Sequence, residues 1–178
     1  DIRILVEGAG GEREIAGSHV LVATGRKPNS DTLDLENAGI AHERSGIAVD
    51  RGLRTSNRKV FAIGDIAGGL QFTHVAGYQA GLVIRSTLFR LPVSYDPDVI
   101  PWVTYTDPEI AHIGLNEEEA RKRHGDKVRV LKAEFSQNDR AQTSGSTGGF
   151  VKLVVGARGR LLGADVVGPS AGEIMNIL

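Results

Sequence analysis

A chain of 178 residues with 40% hydrophobic, 24% charged and 5% aromatic content is long enough for one full core or two small ones, and this composition excludes the disordered and collagen-like classes. Its 21 basic and 22 acidic residues nearly cancel, which argues against nucleic acid as a partner. Without cysteine there is no disulfide, thiolate metal site or thiol nucleophile; with no apolar run near the roughly 20 residues that span a bilayer and no signal-peptide layout at Asp1-Ile-Arg-Ile, a cytoplasmic location with no membrane partner is expected.

In chain order, residues 2–6 alternate apolar and polar and read as a strand, and 19–24 (His-Val-Leu-Val-Ala-Thr) read as a buried strand between Gly17 and Gly25. A loop opens at Gly25-Arg-Lys-Pro-Asn. Short segments including 47–49 then lead to a second buried strand at 60–63, which ends in Gly64-Asp65. Residues 73–91 read as a long helix carrying two apolar stripes, one through Val75, Tyr78, Leu82 and Phe89 and one through Ala76, Ala80 and Val83; this predicts cover on two sides. Gly77 and Gly81 share a face, where a second backbone could come close or where small residues are simply tolerated.

Three of the six prolines fall at 92, 97 and 101, which suits an extended connection and a domain boundary. Strand candidates follow at 102–106, 111–114, 128–135, 150–155 and 161–167. Asn116 with Glu119 forms a capping-box pattern and Gly125 a stop, predicting a helix over 117–124 with acid-before-base pairs Glu117–Arg121, Glu118–Lys122 and Glu119–Arg123. That charge run is a solvated helix face. A further helix begins near Ser170. The later strands and helices make an α+β unit on an antiparallel sheet. Both chain ends read as cut: Asp1 enters a strand pattern at once, and Leu178 stops in an apolar helical run without a C-cap.

Gly8-Ala-Gly10 after the first strand imitates a dinucleotide fingerprint, but Arg13 stands where the third glycine belongs and no helix pattern follows. A hairpin turn is expected there. The stronger signal is Val60-Phe-Ala-Ile-Gly-Asp65, which delivers a carboxylate at the C-terminal end of a strand, where open α/β sheets bind ligands. Gly64 allows close backbone approach and Asp65 can accept hydrogen bonds from ligand hydroxyls. The five histidines have no second histidine or carboxylate at metal spacing, so no metal site is expected.

Ala23-Thr-Gly-Arg-Lys-Pro-Asn29, the 60–65 strand end and Thr104-Tyr-Thr-Asp-Pro-Glu-Ile-Ala-His-Ile-Gly114 occur in one order. They are followed by Asn138-Asp-Arg-Ala141, Gly149-Phe-Val-Lys-Leu153, Leu162-Gly-Ala164 and Ala171-Gly-Glu-Ile174. In this series the chain resembles the C-terminal part of the pyridine nucleotide-disulfide oxidoreductases (dihydrolipoyl dehydrogenase, glutathione reductase, mercuric reductase), with Gln71 to Gly81 nearest the mercuric reductase-like members. The resemblance implies a fold of three parts. Residues 1–55 would be the tail of the NAD(P)-binding domain, 56–100 the returning FAD-binding segment, and 101–178 a dimerisation domain that makes a homodimer.

It also implies FAD as cofactor and NAD(P)H as electron donor. Gly64 and Asp65 would meet the flavin's ribityl chain, Gln71, Phe72, Thr73 and His74 its pyrimidine edge, and Gly25 and Arg26 the strand-to-loop junction that shapes the site. Catalytic residues are not expected in this chain: the family's disulfide, both Gly-x-Gly-x-x-Gly loops and the His-Glu pair have no counterpart, and His74 reads as a packing or hydrogen-bonding residue. Alone, the chain would bind FAD weakly and not turn over. The alternatives are a non-catalytic dimerisation module, and an NADH oxidase or transhydrogenase of the same fold.

Overall fold

The computed structural model describes residues 2–178. The chain begins with a hairpin of β1 (Ile2–Gly8) and β2 (Gly11–Gly17), paired antiparallel from Ile2 opposite Gly17 to Gly8 opposite Gly11. Gly8-Ala-Gly10 is therefore the hairpin turn and not a phosphate loop. Residues 19–24 form no strand, and Leu21 is 88% exposed, which corrects the expected buried strand. An apolar run becomes a buried strand only where neighbouring strands satisfy its backbone and cover its faces, and among the described residues no strand pairs with it.

A small cluster of Leu35, Ile40, Ile47 and Ala62 gathers the segment around β3 (His42–Glu43) and β4 (Gly46–Ile47). The 60–63 strand is reduced to one bridge, Phe61 with Arg54. Its inward side chain, Ala62, is nevertheless buried. A one-turn 3₁₀ helix at Gly64–Ala67 then leads to α1 (Thr73–Leu88). This helix ends at Leu88 rather than 91, and only Val75, Gln79 and Leu82 are buried. On the first stripe Val75 and Leu82 are buried while Tyr78 and Phe89 are exposed, and on the second Ala76, Ala80 and Val83 are half-buried, so each stripe is covered only in part. A Cβ at Gly77 or Gly81 would meet nothing, so no backbone approaches there and the tolerated-residue reading stands.

The second half is a five-stranded antiparallel sheet in the order β5-β6-β9-β8-β7, built from β5 (Trp102–Thr104), β6 (Glu109–Gly114), β7 (Arg129–Glu134), β8 (Phe150–Val155) and β9 (Leu161–Gly168). One face carries Ala111, Ala164 and Val166 beneath α4 (Ala171–Met175), whose Ala171 and Met175 complete that core. The other is covered at one end by α2 (Glu117–His124), through Ala120 against Leu115, Val128 and Val154.

The capping box of α2 is complete: Asn116 Oδ1 accepts from the Glu119 N–H (2.9 Å), and Glu119 accepts from the Asn116 N–H (3.2 Å). Glu117–Arg121 and Glu118–Lys122 pair as expected. Glu119 does not hold Arg123, because the cap occupies its carboxylate; Arg123 reaches Asp98 at 2.6 Å instead. A further short helix, α3 (Asp139–Thr143), is capped by Asn138. No helix among the described residues is long and apolar enough to cross a membrane.

Where β6 leaves the sheet, its backbone touches that of β9. Leu115 N–H donates to the Leu162 carbonyl (2.9 Å), and a Cβ on Gly163 would run into the Leu115 backbone. Glycine is required there by space, not by φ.

Candidate functional site

The strand end at residue 64 turns through a left-handed conformation, Gly64 φ 71°, which a side chain rarely adopts; a Cβ there would also lie 3.1 Å from the Ala76 side chain of α1. The turn is held from inside the protein. Gln79, on α1 and only 2% exposed, accepts the Gly64 N–H at 2.6 Å through Oε1. A buried N–H without a partner costs about 1–3 kcal/mol, so this one bond ties the strand end to the helix. The sequence reading missed Gln79, although a lone amide between Val75 and Leu82 on an apolar stripe was the signal that could have found it.

Held this way, Asp65 points outward with its side chain half exposed, and Arg26 approaches it to 4.0 Å. Gly25 (φ 128°) turns the loop that brings Arg26 in. Both groups face water, so their mutual attraction contributes at most about 1 kcal/mol and leaves the carboxylate free to accept hydrogen bonds. Gly64, Asp65, Gly25 and Arg26, distant in sequence, are thus brought together.

Gln71, Phe72, Thr73 and His74 form the entry to α1. Phe72 is the N-cap residue, extended and without a side-chain cap bond. Among the described residues the Thr73 and His74 N–H groups have no acceptor, while Val75 and Ala76 donate to the Phe72 carbonyl. Free donors at the positive end of a helix favour negative charge nearby. The His74 ring stacks on Phe72 (centroids 5.4 Å apart) and its Nε2–H donates to the Pro101 carbonyl at 2.8 Å. That proton is engaged, in keeping with a hydrogen-bonding residue. This entry lines a cleft of ≈ 630 Å³ whose far wall comes from the second half, including Trp102, Tyr105, Glu109 and Glu173. Among the described residues no cluster of histidines and carboxylates could hold a metal ion.

An outward carboxylate beside a glycine-allowed turn, with uncapped N–H groups at a helix start, is a receptor for hydroxyls and for delocalised negative charge. The family models of the pyridine nucleotide-disulphide oxidoreductases match residues 4–80, and the dimerisation domain of the same family matches 100–178. Together they account for nearly the whole chain, which belongs to this family.

Among curated relatives, mercuric reductase of Staphylococcus aureus is 38% identical over 174 residues, covering 97% of this chain and 32% of that protein. Dihydrolipoyl dehydrogenase of Geobacillus stearothermophilus is 39% identical over 176 residues, covering 98% and 37%. Among solved structures, the HOCl-induced flavoprotein disulfide reductase RclA of Escherichia coli superposes with a TM-score of 0.81 at 30% identity, covering 98% of this chain and 40% of that one. LpdA of Mycobacterium tuberculosis gives 0.84 at 30% identity, covering 97% and 38%. The chain thus spans about a third of the length of the relatives it matches.

Proposed function

We propose that this chain is the part of an FAD-dependent NAD(P)H oxidoreductase that closes the flavin site and supplies the dimer surface. The observation that carries the reading is Gln79 holding the Gly64 N–H at 2.6 Å, so that Asp65 is presented to solvent at the mouth of the site with Arg26 beside it. The residues fit the cofactor. Asp65 accepts hydrogen bonds from the ribityl hydroxyls, the uncapped start of α1 favours charge on the pyrimidine edge of the reduced ring, and Gly25 and Arg26 border the site. FAD held by these residues would supply a hydride acceptor between NAD(P)H and a disulfide, a metal ion or another acceptor.

In this reading residues 1–55 are the tail of the NAD(P)-binding domain, 56–100 the returning flavin segment, and 101–178 the dimerisation domain through which two copies associate. The antiparallel sheet and the family match over 100–178 support that assignment. A cytoplasmic location goes with this reading.

The test is Asp65→Ala in the complete flavoprotein. Losing charge-assisted hydrogen bonds worth about 1.5–3 kcal/mol lowers FAD affinity about ten- to a hundredfold. Asp126→Ala, in the turn after α2, is the control. Equal FAD dissociation constants for both variants and wild type would make Asp65 a turn residue only.

A further inference from the structure

The near-zero net charge of the chain hides a strong local imbalance. Residues 50–60 and 84–93 contain six cationic side chains, Arg51, Arg54, Arg58, Lys59, Arg85 and Arg90, against a single carboxylate, Asp50. Elsewhere the cations are commonly neutralised: Arg121, Lys122, Arg123, Lys132 and Lys152 each hold a carboxylate within 2.9 Å. In the basic segments only Arg58 has an ion-pair partner among the described residues, Asp50 at a loose 3.7 Å.

Three of these arginines converge. Arg54, Arg58 and Arg90 line a cleft of ≈ 540 Å³ together with Asp50, Ser86 and Pro92. Asp50 supplies one counter-charge, its Oδ1 accepting the N–H groups of Gly52 (2.8 Å) and Arg54 (3.0 Å), which leaves two of the three guanidinium charges unmatched. The Arg54 guanidinium lies over the Phe61 ring, 5.4 Å from its centroid. A stacked guanidinium keeps its N–H edge free for a ligand in a fixed plane. Arg90 stands in a left-handed backbone conformation, φ 53°, which non-glycine residues rarely adopt, and its side chain lines the cleft.

The C-terminal end of α1 lies here and contributes about half a negative charge. Three guanidinium groups against one loop-engaged carboxylate outweigh it clearly. The cleft is also separate from the cofactor site, since it lies at the opposite end of a 16-residue helix, about 24 Å away along its axis.

We propose that this cleft is a binding site for a small phosphoryl anion carrying two or more negative charges, such as a diphosphate or a phosphate ester. A monocarboxylate would leave most of the convergent charge unmatched. Phosphate oxygens accept from several guanidinium forks at once, and the Ser86 hydroxyl offers one further donor.

The probe is pyrophosphate, titrated into the 178-residue chain at low ionic strength and followed by calorimetry, with ADP as a second probe. Saturable one-to-one binding is expected with Kd of about 1 mM or tighter, weakening as salt is added. Arg54→Gln and Arg90→Gln should each weaken it about tenfold, whereas Arg140→Gln, remote on α3, should leave it unchanged. Equal affinity for ADP and pyrophosphate assigns recognition to the phosphoryl groups alone, and tighter ADP binding assigns it to a nucleotide. Arg90 is exposed, so its variant tests the site even if Arg54→Gln disturbs the packing on Phe61. No saturable binding, or wild-type affinity in both arginine variants, overturns the proposal.

Discussion

The two ends of this chain use the same element, an antiparallel strand pair, with opposite results. Every residue of the β1–β2 hairpin is exposed, Leu5 at 69%, whereas in the five-stranded sheet Ala111, Val154, Ala164 and Val166 are fully buried. The hairpin ladder is unbroken, and the five-stranded sheet has a single register shift, at Val154/Val155 of β8. What differs is whether a second layer covers the sheet, and an isolated two-stranded hairpin is marginal in water. Backbone pairing follows local pattern; stability follows the layer that packs on it.

That contrast predicts its largest consequence in hydrogen exchange. Amides of Ile4, Val6 and Ile15 should exchange at least about a thousandfold faster than those of Ala111, Val154 and Val166, since marginal segments open at almost no cost while core strands open near the global stability of about 5 kcal/mol or more. Comparable protection in the two regions would mean that something covers the hairpin in solution.

Within the covered sheet, the sharpest dependence lies at Gly163. A methyl group there would overlap the Leu115 carbonyl, and the two strands cannot part without breaking the Leu115–Leu162 hydrogen bond. Gly163→Ala should therefore cost about 3 kcal/mol or more, read as a lower denaturant midpoint. Gly148→Ala, where a Cβ meets nothing, should cost far less. A small effect at Gly163 would show that the sheet yields where it appears rigid.

The same division explains what could be read from sequence. The span 117–124 was legible to the residue because a capping box and a glycine stop are local chemistry, and β8 because its apolar run has partners within the chain. Residues 19–24 carry as convincing a strand pattern, yet pattern states only what a segment would do with neighbours. The Arg123–Asp98 pair spans 25 residues and no local rule reports it. At the candidate site the turn at Gly64-Asp65 was legible as a local motif, while the Gln79 bond to it depended on how a helix packs behind that turn.

Gln79 belongs to the covered side of that comparison and supports the exposed side. Gln79→Leu keeps similar volume but leaves the Gly64 N–H buried and unpaired, with an expected cost of about 2 kcal/mol. Its direct measure is the Gly64 amide, which should lose exchange protection relative to Val75, while Gln79→Glu, whose carboxylate accepts the same N–H, should restore it. Unchanged protection in Gln79→Leu would separate the turn from the helix and remove Gln79 from the site.

The smallest expected effect tests the sheet face that α2 leaves partly open. There Trp102, His112, Asp165, Lys152 and Lys132 lie opposite one another in a row across all five strands. His112 Nδ1 is 2.7 Å from Asp165 Oδ1 and Nε2 is 2.9 Å from the Gly114 carbonyl. Both oxygens accept, so the imidazolium form satisfies both contacts at once. The Asp165 hydrogen bond, and then the Gly114 carbonyl, raise its pKa against the opposing effect of burial, and Glu119 on α2 adds to the rise. Asp165, bonded to His112 and to Lys152 at 2.9 Å, is held below the ordinary carboxylate value.

A histidine whose pKa is raised by folding stabilises fully below its unfolded value of about 6.5, and that contribution is lost as pH rises through the higher folded value. For Asp165 the sign is reversed: its contribution holds above about pH 3.9 and disappears as pH falls through the lowered folded value. Both contributions are therefore present between about pH 4 and 6.5, and Tm should decline above that window. His112→Gln should flatten the alkaline decline. Trp102, the single tryptophan, has its ring centroid 5.3 Å from that of His112, so its fluorescence should titrate with a midpoint above about 6.5 and lose that transition in the variant. If wild type and His112→Gln show the same alkaline slope and the same fluorescence titration, the imidazolium contributes nothing to holding the open face together.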